Sequence, residues 1–217
     1  MKMNKKKLAV VSLVLCIAAI ISMASLAWFQ SSETVENTLN FVDEFEIELY
    51  ETDPEDEETG KTLTGLTFNN VRPGDVLDKD PTIVNKCSEG GENMWVRMNV
   101  TVTGTDVWST LGITDLTSIF TVADDFDSTW KRYDAPDASV DGQLTYTFYL
   151  LEKLAPGASE TLFTAVNIPE KLTIDQVAAL DGSCTITVTA DAIQADGAGL
   201  ESITDAYTAF GNWTAAE

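Results

Sequence analysis

Apolar and polar residues alternate over several short stretches of the chain, the two-residue period of a strand with one wet face. Phe45-Glu-Ile47-Glu-Leu49-Tyr50 alternates apolar with acidic positions. Met94 to Thr103 shows the pattern most clearly. Met94, Val96, Met98, Val100 and Val102 fall on one side, and Arg97, Asn99, Thr101 and Thr103 fall on the other. Gln143 to Leu151 and the Thr-rich run Ser183 to Ala195 read as two further long strands, and Leu63 to Phe68 as a short one. Val71-Arg-Pro-Gly-Asp75 and Ala155-Pro-Gly157 place Pro and Gly where a type II turn needs them. Each turn is followed by an apolar Val-Asn step, Val84-Asn85 and Val166-Asn167, a faint internal repeat. Helical spacing is confined to short pieces: Asp115 to Phe120, Thr173 to Leu180 with Thr173 as its cap, and Leu200 to Trp213. In the last of these Leu200, Ile203, Tyr207 and Phe210 share a face. Many short strands with Gly/Pro punctuation predict an all-β chain, a jelly-roll-like antiparallel β-sandwich with short helices.

A different pattern opens the chain. Lys2, Lys5, Lys6 and Lys7 precede a run without charge from Leu8 to Ser32, and Ser25-Leu26-Ala27 offers the small residues a signal peptidase reads. Cleavage between Ala27 and Trp28 is expected. The apolar run reaches about 20 residues, enough to cross a bilayer, so a retained anchor helix is the alternative. The leading lysines keep the N-terminus cytoplasmic either way, and the body faces outward. Leu15 before Cys16 stands where a lipidation signal needs a small residue. The chain therefore divides into a signal or anchor over 1–27, an N-terminal segment over 28–42 and a β-sandwich domain over 43–217.

Charge narrows the function. The 217 residues carry 13 basic and 35 acidic groups and no histidine. Losing the four leader lysines leaves 9 basic groups against 35 acidic, taking the net charge from −22 to −26. So acidic a body repels nucleic-acid backbones and anionic lipid, leaving residues 8–27 as its sole membrane contact. Without histidine there is no His-based triad, no His-ligated zinc and no HExxH motif. No catalytic residue, metal ligand or cofactor site stands out. The acidic runs Asp53-Pro-Glu-Asp-Glu-Glu58 and Asp124-Asp-Phe-Asp127 are expected to be solvated turns, with a calcium ion as the alternative. Cys87 and Cys184 are either a disulfide or two separate packed thiols. Trp108 and Trp130 are either core residues or sugar-stacking platforms.

The Lys-rich leader ending Ala27-Trp28-Phe29, then Phe45-Glu-Ile-Glu-Leu49, Val71-Arg-Pro-Gly-Asp75 and Ile83-Val-Asn85 resemble the TasA/camelysin-type exported proteins of Gram-positive bacteria. Leu154-Ala-Pro-Gly157, Ile168-Pro169 and Ala190-Asp-Ala-Ile-Gln-Ala195 extend the likeness, while residues 104 to 141 do not share it. The resemblance implies a leader cut by a SipW-type signal peptidase. It also implies a secreted jelly-roll subunit of a biofilm-matrix or cell-surface fibre, whose partners are itself or related subunits. In such fibres the freed N-terminal segment docks as a strand in the next subunit. Here the candidate donor is Trp28 to Phe41, with Val35, Leu39 and Phe41 on one alternation face; the alternative is a disordered tether. A membrane-anchored module binding carbohydrate or protein is the rival reading. A camelysin-type metallo-endopeptidase, which the composition disfavours, is the third.

Overall fold

The computed structural model describes residues 30–33 and 45–211, apart from 57, 111, 114, 174, 177, 179–183 and 196–198. Twelve strands are defined among them: β1 (Gln30–Glu33), β2 (Ile47–Thr52), β3 (Lys61–Thr62), β4 (Val76–Asp78), β5 (Thr82–Asn85), β6 (Met94–Thr103), β7 (Phe120–Thr121), β8 (Trp130–Lys131), β9 (Gln143–Leu150), β10 (Ser159–Thr161), β11 (Ala165–Asn167) and β12 (Ile186–Gln194). Every pairing is antiparallel. They form a five-stranded sheet β1-β12-β6-β9-β8, a four-stranded sheet β10-β5-β2-β3 and a three-stranded sheet β4-β11-β7. The helices are short: α1 (Thr105–Thr110), a 3-10 turn Leu116–Ile119, α2 (Phe126–Thr129) and α3 (Ile203–Gly211).

β6 organises the core because its alternation is so strict. Met94, Val96, Met98, Val100 and Val102 are all fully buried, facing Ala192, Ala190 and Val188 of β12 and Phe148 and Tyr146 of β9 in register. Ile47 of β2, Ile83 of β5 and Val166 of β11 close the same core, so all three sheets share it. Fully burying such a side chain contributes about 1.5–3 kcal/mol. The other face of the long sheet has its own smaller core. Trp95, Tyr149 and Ile193 pack there beneath α3, which buries Ala206 and Phe210. Ser202 and Asp205 cap α3 reciprocally: Asp205 Oδ2 accepts from Ser202 N (3.1 Å), and Ser202 Oγ accepts from Asp205 N (3.3 Å).

The Pro-Gly repeat has a spatial meaning. Gly74 and Gly157 both take positive φ, 84° and 73°, as the second central residue of such a turn requires. Gly74 N donates to Ile168 O (2.9 Å) and Gly157 N donates to Asn85 O (2.9 Å). The strand after the first turn, β4, pairs with the Val-Asn strand of the second repeat, β11. The strand after the second turn, β10, pairs with the Val-Asn strand of the first, β5. The two repeats thus clasp each other reciprocally.

One expectation changes. Leu63 to Phe68 forms no strand: Leu63 is 54 % and Phe68 37 % exposed, and Gly65 breaks the extended backbone at φ 82°. Its residue types suit a strand, but among the described residues no neighbour pairs with it beyond Thr62. Thr161 and Ala165–Asn167 belong to two different sheets, β10 and β11, with Leu162 and Phe163 buried at the crossing between them. The expected helix over Thr173 to Leu180 lies in part outside the described residues, but its cap is present. Gln176 N donates to Thr173 Oγ1 (3.2 Å) and Thr173 N to Gln176 Oε1 (2.8 Å).

Candidate assembly edge

Strand edges are the chemically open part of this fold, because each edge has a row of backbone groups without a ladder partner. The long sheet ends on β1 at one side and on the two-residue β8 at the other. β1 pairs Gln30 with Ile193, Ser31 with Ala192, Ser32 with Asp191 and Glu33 with Ala190. Among the described residues it pairs with four positions of the nine-residue β12. The remaining stretch, Ile186 to Thr189, pairs only with β6 among the described residues. Within this stretch Val188 is buried and Ile186 half-buried. β12 itself is firmly held. Arg97 Nε donates to Asp191 Oδ2 (2.8 Å), Asn99 Nδ2 reaches the same oxygen (3.3 Å), and Arg97 Nη1 donates to Phe210 O (3.2 Å). Beside β12 lies β1, whose four residues Gln30-Ser-Ser-Glu33 are polar.

The second edge is electrostatically distinct. β10 flanks the four-stranded sheet, and Glu160 at its centre is partly buried. Burial, then the charges of Asp125 and Glu152, push its carboxyl above the usual 4.5. Beside β8, a cavity of about 760 Å³ is floored by Phe120, Phe126, Trp130, Phe148, Leu162 and Phe163. Its charged lining residues are Asp127, Lys131 and Arg132.

The remaining sequence candidates fall as follows. Ala27 and Trp28 at the cleavage point, and Val35, Leu39 and Phe41 of the candidate donor, lie outside the described residues. Trp108 and Trp130 are each 2 % exposed and belong to the core, so neither is a stacking platform. Cys87 and Cys184, the candidate disulfide pair, lie toward opposite ends of β6. Cys87 N donates to Asn85 Oδ1, Asn85 Nδ2 donates to Leu154 O, and Leu154 bridges Met94. Cys184 lies two residues before Ile186, which is opposite Val102. The 10 residues of β6 span about 30 Å, whereas a disulfide needs Cα atoms within about 7 Å. Trp108 Nε1 donates to Cys184 Sγ (3.3 Å), and burial pushes this thiol up, away from the reactive thiolate.

In the first acidic loop Asp53 and Asp56 fold their carboxylates back onto the loop's own amides, whereas Asp124, Asp125 and Asp127 of the second are exposed. Asp56 accepts from the Thr59 hydroxyl (2.7 Å) and from the amides of Thr59 and Glu58, and these bonds hold its carboxyl below the usual range. Among the described residues no three metal-ligating side chains converge. Gln30 to Glu33 fall within the expected donor segment Trp28 to Phe41, but they pair with β12 of the same chain, a partner that a polar run without an apolar period does not reveal. No family model, curated protein or solved structure matches the chain.

Proposed function

We propose that this chain is an exported structural protein, a subunit of an extracellular matrix or cell-surface fibre that assembles by strand addition at the β12 edge. One observation carries the reading. Residues that closely follow the expected cleavage point, Gln30–Glu33, supply an edge strand of the main sheet, and all four are polar. Such a strand is easily exchanged for the equivalent one of a second copy. The leader, the TasA/camelysin-like motifs and a sheet arrangement compatible with a jelly-roll sandwich support the same conclusion. On this reading a SipW-type peptidase frees the N-terminus, the protein is secreted, and its partners are itself or related subunits. No catalytic role is assigned to it.

Negative-stain microscopy of residues 28–217, at neutral and mildly acidic pH with and without calcium, tests this. A chain beginning at Phe45 serves as the control that keeps β2 but lacks β1. Regular filaments are expected from the longer chain alone. A monomer under every condition overturns the proposal. It would favour a membrane-anchored binding module, with the aromatic-floored cavity beside β8 as the place to look for ligand.

A further inference from the structure

Among the described residues one ion pair is buried and another half-buried, and their surroundings differ. Arg97 and Asp191 share additional partners in Asn99 and the Phe210 carbonyl. Lys79 and Glu51 have only each other. Their side chains are 9 % and 8 % exposed, Lys79 Nζ donates to Glu51 Oε1, and the buried Glu51 Oε2 has no hydrogen-bond partner. An ammonium group has three N–H donors, and one of them is used here among the described residues. Burying two charges with so much unmet capacity is costly. The adjacent residues clamp this geometry: Asp80 Oδ1 accepts from Thr52 N (2.7 Å), and Asp80 Oδ2 accepts from Thr52 Oγ1 (2.5 Å). Glu51 on the inner row of β2 and Lys79 between β4 and β5 are thereby held together from both backbones.

We propose that Lys79 and Glu51 condense to an intramolecular isopeptide bond. A proton passes from the ammonium to the carboxylate, giving a neutral amine against a neutral acid. The Nζ lone pair then attacks Glu51 Cδ and forms the C–N bond. A second proton moves from nitrogen to the departing hydroxyl, the C–O bond breaks, and one water leaves. The reaction needs no oxidant, reductant or co-substrate. Held orientation supplies the effective concentration, and the product replaces two buried charges with one carbonyl and one N–H. The bond joins β2 to the β4–β5 connection, positions 28 residues apart, and brackets the hairpin tip and the exposed segment around Leu63 and Phe68. A chain nicked within that bracket would stay in one piece.

Mass spectrometry of the purified, denatured protein tests this. The expected mass is one water below that of the sequence. Trypsin should leave Lys79 uncut and yield its peptide joined to the one ending at Lys61. Lys79→Arg and Glu51→Ala should each restore the full mass. Full mass in the folded wild type, with ordinary cleavage after Lys79, overturns the proposal. So does a deficit carried by an unlinked peptide, such as a cyclised Asp141-Gly142.

Discussion

Asn85 is fully buried, and its side chain is fully employed. Nδ2 donates to Glu92 O (2.9 Å) and Leu154 O (3.0 Å), while Oδ1 accepts from Cys87 N (2.9 Å). Its counterpart Asn167 donates to Ile119 O (3.1 Å) and Thr121 Oγ1 (2.7 Å). Each Asn ends an inner strand by tying it to a neighbouring connection, which is the physical content of the repeated Val-Asn step. The repeat was visible in the sequence; the partners Leu154, Ile119 and Thr121 were not, since they come from distant segments. Glu160 gives a pH prediction at this scale. Its carboxyl is raised in the fold, so its favourable contribution is present below the usual 4.5 and is lost as pH rises through the raised value. Glu160→Gln should therefore unfold at a higher temperature than the wild type at pH 7. The gap is expected to be about 1–2 °C, because the carboxyl is screened by water. It should close as pH falls below 4.5, and paired melting curves across pH check it. A gap that widens in acid would refute the assignment.

The C-terminal helix shows how far an element can be read alone. Its apolar face was legible from Leu200, Ile203, Tyr207 and Phe210, and its landing place was not. Trp95 falls by alternation on the Arg97 face of β6, the side that sequence marks as wet. Only α3, arriving from the far end of the chain, buries it to 3 % exposure. Trp95 Nε1 donates to Leu200 O (2.8 Å), and Tyr207 Oη donates to Asp134 (2.9 Å), so the helix is tied at two points. Phe210→Ala should cost about 3–5 kcal/mol of helix docking. Faster hydrogen exchange over residues 203–211 and red-shifted tryptophan emission should report it, with the core-facing row of β6 still protected. Global unfolding without such local loosening would show that the helix and sheets form one cooperative unit. The converse failure, at Leu63 to Phe68, has the same origin. A strand-like composition yields no strand where nothing pairs with it.

At the scale of the whole molecule, charge sets the conditions for association. A body at −26 repels its own copies, and salt screens that repulsion over about 8 Å at physiological ionic strength. Filaments of residues 28–217 should therefore nucleate faster as salt rises, and faster in mild acid. Light scattering against salt concentration measures this, and fastest assembly at low salt and neutral pH would rule the account out. The all-β character, the long strands β6, β9 and β12, both Pro-Gly corners and the amphipathic C-terminal helix follow from local periodicity and turn chemistry, which act within a few residues. Sheet order, the reciprocal clasp of the repeats, the separation of the two thiols, the buried Lys79–Glu51 pair and the β1–β12 edge were decided only by tertiary structure. Each depends on which distant segments meet, and hydrophobic alternation specifies the face a residue takes, not the strand it lies beside.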